Sequence, residues 1–162
     1  HDGQQRRLSV LGEGPRRQEL VSLSHRIDAQ FPGAVVAARP DYAASADVYS
    51  FTADIASHPM SLIEGMAAGL PVIAHPISGV RELVSDGKEG LLVPVGDAAA
   101  YAQAIRTLDA SPSLRRQLGD AARAKVAWLD WRRLVKPIES QYLRAISSRR
   151  ASGRAGSASV WP

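Results

Sequence analysis

Cysteine is absent from this chain of 162 residues, which excludes disulfide frameworks, thiolate nucleophiles and cysteine-held zinc or iron–sulfur sites. The absence is compatible with a reducing cytoplasm. Long apolar runs are missing too: the longest, Met66 to Ala74, is broken by Gly69 and Pro71 and falls well short of the roughly 20 residues that cross a bilayer. No apolar stretch follows His1, Asp2, Arg6 and Arg7, so the start does not read as a secretory signal. With no initiator Met, the chain is expected to be a fragment. No cluster of carboxylates or histidines suggests a metal site, and no internal repeat is visible.

What is present belongs to a soluble globular protein, with 45% hydrophobic and 22% charged residues. The length fits one domain with an overhang, since domains commonly run to about 100–150 residues. The net charge of +4 is weighted towards the C-terminal end by Arg144, Arg149, Arg150 and Arg154. Such a tail suits anionic lipid or nucleic acid. No aromatic residues interleave with the arginines as single-strand binders require, which favours a solvated tail, excludes nucleic acid as a partner and leaves weak membrane-surface contact open.

The order of elements reads as alternation. Leu8 to Leu11 is a short strand ending at Gly12-Glu13-Gly14-Pro15, followed by helical spacing through Leu20, Leu23 and Ile27. Ala34 to Ala38 and Asp47 to Thr52 are expected as strands, with a short helix at Tyr42 to Ala46 between them. A helix follows from about Pro59 to Gly69, then a strand at Val72 to His75, a short helix at Val80 to Val84 and a strand at Leu91 to Val93. Short apolar strands separated by helices predict an α/β fold: a doubly wound parallel sheet covered on both faces. Ala98 to Leu108, Ser113 to Trp128 and Trp131 to Ile146 follow as C-terminal helices, the last bent at Pro137. A single domain over 1–146 and a loose basic tail over 147–162 are expected.

Ligands of an open parallel sheet bind at the carboxyl ends of its strands. Glu64 is the only Asp, Glu, Lys or Arg between Ala56 and Val80, about one turn into its helix. Ile63, Met66, Ala67 and Leu70 share the face expected to pack on the sheet, leaving Glu64 at its edge. A carboxylate there can accept hydrogen bonds from the vicinal hydroxyls of a ribose; it can equally be an acid favoured by the helix dipole and solvated. The same helix opens at Ser57-His58-Pro59-Met60-Ser61, where Ser57 is a candidate cap and Pro59 suits the first turn. Its free N–H groups would attract an anion. Gly79 would let backbone approach a ligand, or simply turn. His75 reads as a residue at a strand end facing the crevice, or as an exposed loop histidine.

The stretches Leu62 to Ala74, Ser78 to Val84 and Gly87 to Pro94 resemble the C-terminal domain of family 4 retaining glycosyltransferases (glycosyl transferases group 1), and the likeness extends from Leu8 to about Ile146. The resemblance implies the Rossmann-like donor-nucleotide half of a GT-B fold. It implies that Glu64, the second glutamate of a Glu, seven residues, Glu motif, binds the ribose of a UDP- or GDP-sugar. It further implies that Pro59, Met60, Ser61 and Leu62 meet the diphosphate at the helix N-terminus, with Gly12 and Gly14 also at the diphosphate or sugar. His58, His75, Gly79 and Glu82 are further candidates, Glu82 matching a glutamate after the family's glycine pair and otherwise a plain helix-surface acid. No metal or cofactor is expected beyond the donor. The acceptor would sit in a missing N-terminal domain of the same protein, and the place of action would be the cytoplasm, peripheral to the inner face of a membrane. One departure stands out: Ala56 occupies the position of the first glutamate, which reaches the transferred sugar in the family. A degenerate domain that serves as a binding or scaffold module is therefore the alternative. A generic dinucleotide domain fits less well, because Gly12-Glu13-Gly14 lacks the third glycine of that fingerprint.

Overall fold

The computed structural model describes residues 6–33 and 45–151. The chain divides into two compact units, His1–Ser45 and Ala46–Pro162, where the sequence pattern predicts one domain over 1–146. The division follows the sheets: the described strands form two separate parallel sheets, one in each unit.

In the first unit, β1 (Arg7–Leu11) leads to α1 (Arg17–Leu23), a 3-10 turn (Ser24–Arg26) and β2 (Asp28–Gly33). The strands pair in parallel from Arg7↔Asp28 onward, and Arg7 Nε donates to Asp28 Oδ2 at 3.0 Å. Strand β2 starts earlier than the expected Ala34–Ala38 strand, which lies outside the described residues. Most of the expected Tyr42–Ala46 helix lies outside them as well, and Ser45 and Ala46 are not helical. Gly12, directly after β1, has φ +136°, a conformation that only glycine adopts without strain.

The second unit holds β3 (Tyr49–Phe51), α2 (Met60–Ala67), β4 (Val72–Ala74), α3 (Ser78–Arg81), β5 (Gly90–Leu92), α4 (Ala98–Ala110), α5 (Pro112–Val126), a 3-10 turn (Ala127–Leu129) and α6 (Trp131–Ala151). The strand order is β3-β4-β5, all parallel. In the central strand, Val72, Ile73 and Ala74 are all fully buried, and their alternation distributes them to opposite faces. Val72 and Ala74 join Leu62 and Met66 of α2 and Ala122 and Val126 of α5. Ile73 joins Ala104 and Leu108 of α4 and Leu118 of α5. With α2 on one face and α4 on the other, the sheet is covered on both sides, as the uninterrupted apolar strand predicts. Truncating Leu62, Met66 or Ile73 to Ala would each cost about 2–5 kcal/mol.

Helix α2 is held firmly at its C-terminal end. Gly69 has φ +81° and closes the helix in the left-handed conformation that a glycine C-cap supplies. The Nη2 of Arg123, on α5, donates to the Ala68 carbonyl at 2.7 Å. A Cβ on Gly119 would collide with the Gly69 carbonyl oxygen, so α5 crosses the end of α2 at backbone distance. The buried face of α2 is Leu62, Ile63, Gly65 and Met66; Ala67 is exposed, contrary to expectation. The face is shifted because α5 and the Tyr49 ring, not the sheet alone, form the surface against which α2 packs. At the other end of the chain α6 continues through Pro137 and past Ile146 to Ala151, so residues 147–151 are helical and not part of a loose tail. Serine hydroxyls there return to the helix itself, Ser147 to the Arg144 carbonyl and Ser148 to the Ala145 carbonyl.

Candidate functional site

The loop from Thr52 to Pro59 leaves the carboxyl end of β3 and delivers the chain to the start of α2. At the carboxyl end of β4, His75 to Ile77 lead into α3. These two loops meet, because the Gly79 amide donates to the Ala56 carbonyl at 3.2 Å. A Cβ on Gly79 would lie 2.5 Å from the Ala56 carbonyl oxygen and 2.7 Å from that of Ser57. Gly79 is thus required for the close backbone approach of the chain's own 56–57 loop. The contact sets where α2 begins relative to the sheet.

Helix α2 starts without a side-chain cap. Its N-cap is Pro59, with no side-chain hydrogen bond to the first turn, so Ser57 does not cap and Pro59 stands one position before the helix. Ile63 is the first amide to find a helical partner, the Pro59 carbonyl at 3.1 Å. The amides of Met60, Ser61 and Leu62 have no intrahelical acceptor, as geometry dictates for a helix start. Pro59 is buried and has no N–H to donate, so it shapes the turn and cannot itself bind an anion. Leu62 is fully buried, leaving only its amide for a ligand. Met60, Ser61 and His58 are exposed.

Glu64 lies on α2 one turn beyond these amides and is exposed. Its neighbour Gly65 is covered by an aromatic ring: a Cβ there would sit 2.6 Å from Tyr49 Cγ. Burial raises the Tyr49 phenol above its ordinary pKa, a hydrogen bond with Ser61 opposes that shift, and the negative charge of Glu64 adds to it. The Glu64 carboxylate therefore stands near enough to the Tyr49–Ser61 pair for its charge to be felt, and Tyr49 is a site neighbour that strand patterning does not reveal. The available signal was Gly65, a glycine inside a helix, which usually marks something packed tightly against it.

His75, which directly follows β4, is not an exposed loop residue. It is buried, at 8% exposure, and its Nδ1 lies 2.9 Å from the Val93 carbonyl, an acceptor, so Nδ1 is the donor. Its ring meets that of Tyr101 edge to face at 5.9 Å. Tyr101 in turn bonds the Ser50 hydroxyl at 2.5 Å, and burial lifts its phenol pKa while that bond opposes the shift. His75, Asp97, Tyr101 and Ile105 line a shallow depression of about 370 Å³ on the α4 side of the sheet. Glu82 is the exposed C-cap residue of α3, a helix-surface acid. Gly12 and Gly14 belong to the first unit, where both are exposed and a Cβ on either would meet nothing within 4 Å. A buried acid escaped the sequence reading altogether: Glu89, 1% exposed, accepts the Ser85 amide at 2.8 Å and closes the turn into β5. Ala56, in the place of the motif's first glutamate, is half-buried.

Among the described residues, no helix is long and apolar enough to cross a membrane. The family model described as "Glycosyl transferases group 1" matches residues 2–111. The sulfoquinovosyl transferase of Arabidopsis thaliana is 30% identical over 145 residues, 86% of this chain and 28% of that protein. Among solved structures, sucrose-phosphate synthase from Thermosynechococcus elongatus superposes with a TM-score of 0.74 at 27% identity, over 87% of this chain and 39% of that one. HepE of Anabaena, solved in complex with UDP-glucose, shares the fold with a TM-score of 0.70 at 24% identity, over 86% of this chain and 40% of its own. The chain thus spans well under half the length of each of these proteins.

Proposed function

This chain belongs to the glycosyl transferases group 1 family, and on that premise we propose that it is the nucleotide-sugar-binding half of a retaining hexosyltransferase whose donor is a UDP- or GDP-sugar. The observation that carries the reading is local to α2: a lone carboxylate, Glu64, stands one turn beyond an uncapped helix N-terminus at the carboxyl end of a parallel sheet. Each part has a chemical role. Glu64 accepts hydrogen bonds from both ribose hydroxyls, which a carboxylate can do with two oxygens. The amides of Met60, Ser61 and Leu62 face the diphosphate, and the helix dipole favours its charge. As the sugar leaves, negative charge builds on the diphosphate, and donors already in position stabilise it without reorganising. The UDP-glucose bound by HepE supports the donor class. Exposure of Glu64 is what a ligand-facing group requires.

The test is a titration of the chain with UDP and with GDP, followed by backbone NMR. Shifts at Met60 to Gly65 that disappear in Glu64→Gln support the reading; no movement there with either nucleotide refutes it. Ala56 supports a second reading, a binding or scaffold module without turnover. Its methyl cannot accept a sugar hydroxyl, and its carbonyl is already committed to Gly79. Introducing Ala56→Glu in the full-length protein separates the two: turnover that appears or rises favours the enzyme, and turnover still absent across a range of donors favours the module.

A further inference from the structure

On the first turns of α2, one hydroxyl stands between two neighbours. At about 100° per residue, Ser61 falls between Glu64, three residues on, and Gly65, four residues on, and side chains at these spacings meet on a helix surface. The Gly65 side is taken by Tyr49: a Cβ on Gly65 would lie 2.6 Å from Tyr49 Cγ and 2.7 Å from its Cδ2, so the ring rests on the helix backbone. The ring is fixed from its own strand as well. Tyr49 pairs with Val72 in the parallel ladder, its amide donates to the Pro71 carbonyl at 3.0 Å, and it packs against the cluster that contains Leu62 and Met66. From there its phenol hydroxyl engages the Ser61 hydroxyl, one helical turn from Gly65 towards the start of α2. Among the described residues Glu64 has neither a hydrogen-bond partner nor an ion-pair partner.

A serine three residues before a glutamate is within reach of its carboxylate, and a hydroxyl that donates there competes with a ligand for the same lone pairs. Ser61 has one hydroxyl, and each staggered rotamer points it to one side only. We propose that Tyr49 is a positioning residue of the nucleotide site: by engaging the Ser61 hydroxyl on the sheet side, it keeps the Glu64 carboxylate free to accept both hydroxyls of a ribose. This rests on the reading of Glu64 as the ribose ligand. Ring and hydroxyl then have separate roles in Tyr49. The ring covers Gly65 and sets how closely α2 approaches β3, while the hydroxyl sets which way Ser61 turns. Burial and the charge of Glu64 both favour the neutral phenol, so no second negative charge arises beside the carboxylate.

The experiment measures UDP affinity by calorimetry for the 162-residue chain and its variants. Tyr49→Phe keeps the ring over Gly65, so the urea midpoint moves little, and UDP affinity is expected to fall about fivefold, the worth of one net hydrogen bond. Adding Ser61→Ala to that variant removes the hydroxyl that would turn to Glu64, and most of the loss is recovered. Recovery is the discriminating sign, because a merely structural defect at Tyr49 is not repaired by deleting a second hydroxyl. Unchanged affinity in Tyr49→Phe, or a loss that Ser61→Ala deepens, overturns the proposal; if Glu64→Gln still weakens UDP in that case, the ribose reading stands without it. Should Glu64→Gln leave UDP affinity unchanged, the ribose reading falls and the role of Tyr49 falls with it.

Discussion

Replacing Gly79 by alanine is the most discriminating single change in the site, because two readings of this glycine predict effects of opposite sign. If Gly79 merely gives a ligand room, the alanine meets open space in the free protein. A Gly to Ala change at a helical position then stabilises by about 0.4–1 kcal/mol, through loss of freedom in the unfolded chain. If the geometry seen here governs, the new methyl falls 2.5 Å from the Ala56 carbonyl oxygen and 2.7 Å from that of Ser57, well inside van der Waals contact. These are backbone atoms, which cannot rotate away. Overpacking of this kind costs about 1–3 kcal/mol, and loss of the Gly79 to Ala56 hydrogen bond adds about 1 kcal/mol. The steric terms win, and after subtracting the unfolded-chain gain Gly79→Ala is expected to destabilise by about 1–3.5 kcal/mol. Urea unfolding of the ligand-free protein measures this directly. UDP binding should weaken as well, since the displaced 56–57 loop carries the start of α2. A variant as stable as the parent, or more stable, would refute the assignment of Gly79 as the anchor of that loop.

Other consequences of the same geometry can be checked in parallel. Glu64→Gln removes a charge-assisted acceptor worth about 1.5–3 kcal/mol, so UDP affinity should fall roughly tenfold to a hundredfold by calorimetry while the melting curve stays put, the side chain being exposed. Arg123→Ala uncovers the Ala68 carbonyl at the end of α2 and should cost about 1 kcal/mol in chemical denaturation, with nucleotide affinity little changed. His75→Ala leaves the Val93 carbonyl without its buried donor, and a loss of about 1–3 kcal/mol is expected. Tyr49 and Tyr101 both have phenol pKa values raised by burial. Their folded pKa values lie above the unfolded value near 10, so the stability they contribute is intact below about pH 10 and lost as pH climbs through the folded values. Urea midpoints from pH 9 to 11 should fall in the parent and fall less in Tyr49→Phe with Tyr101→Phe.

Much of the fold was legible in the residues themselves. Val72-Ile73-Ala74 is apolar at every position, and a short strand without alternation has to be covered on both faces; α2 and α4 cover it. Pro112 and Gly69 mark a helix start and a helix end for reasons confined to one residue, a fixed φ and a tolerated positive φ. Glu64 could be singled out because the chain around it is uncharged, which is again a property of sequence. Where local preference and tertiary packing agree, reading along the chain succeeds.

Contacts between distant segments were not legible, since no periodicity records them. The sequence marked Gly79 as a place of close approach and could not say what approaches; only the meeting of the β3 and β4 loops shows that Ala56 and Ser57 do. It left open whether His75 is an exposed loop residue, and the Val93 carbonyl, eighteen residues on, holds the ring in a buried position. It singled out Glu64 but not Tyr49, whose ring reaches α2 because Gly65 carries no side chain where the two meet. The sequence by itself determined most of the helices and strands from Tyr49 to Ile146 and singled out one carboxylate in an uncharged stretch, because backbone propensity and charge are local quantities. Tertiary structure alone decided which groups stand beside that carboxylate, because proximity in a parallel sheet comes from crossovers that join residues far apart in the chain.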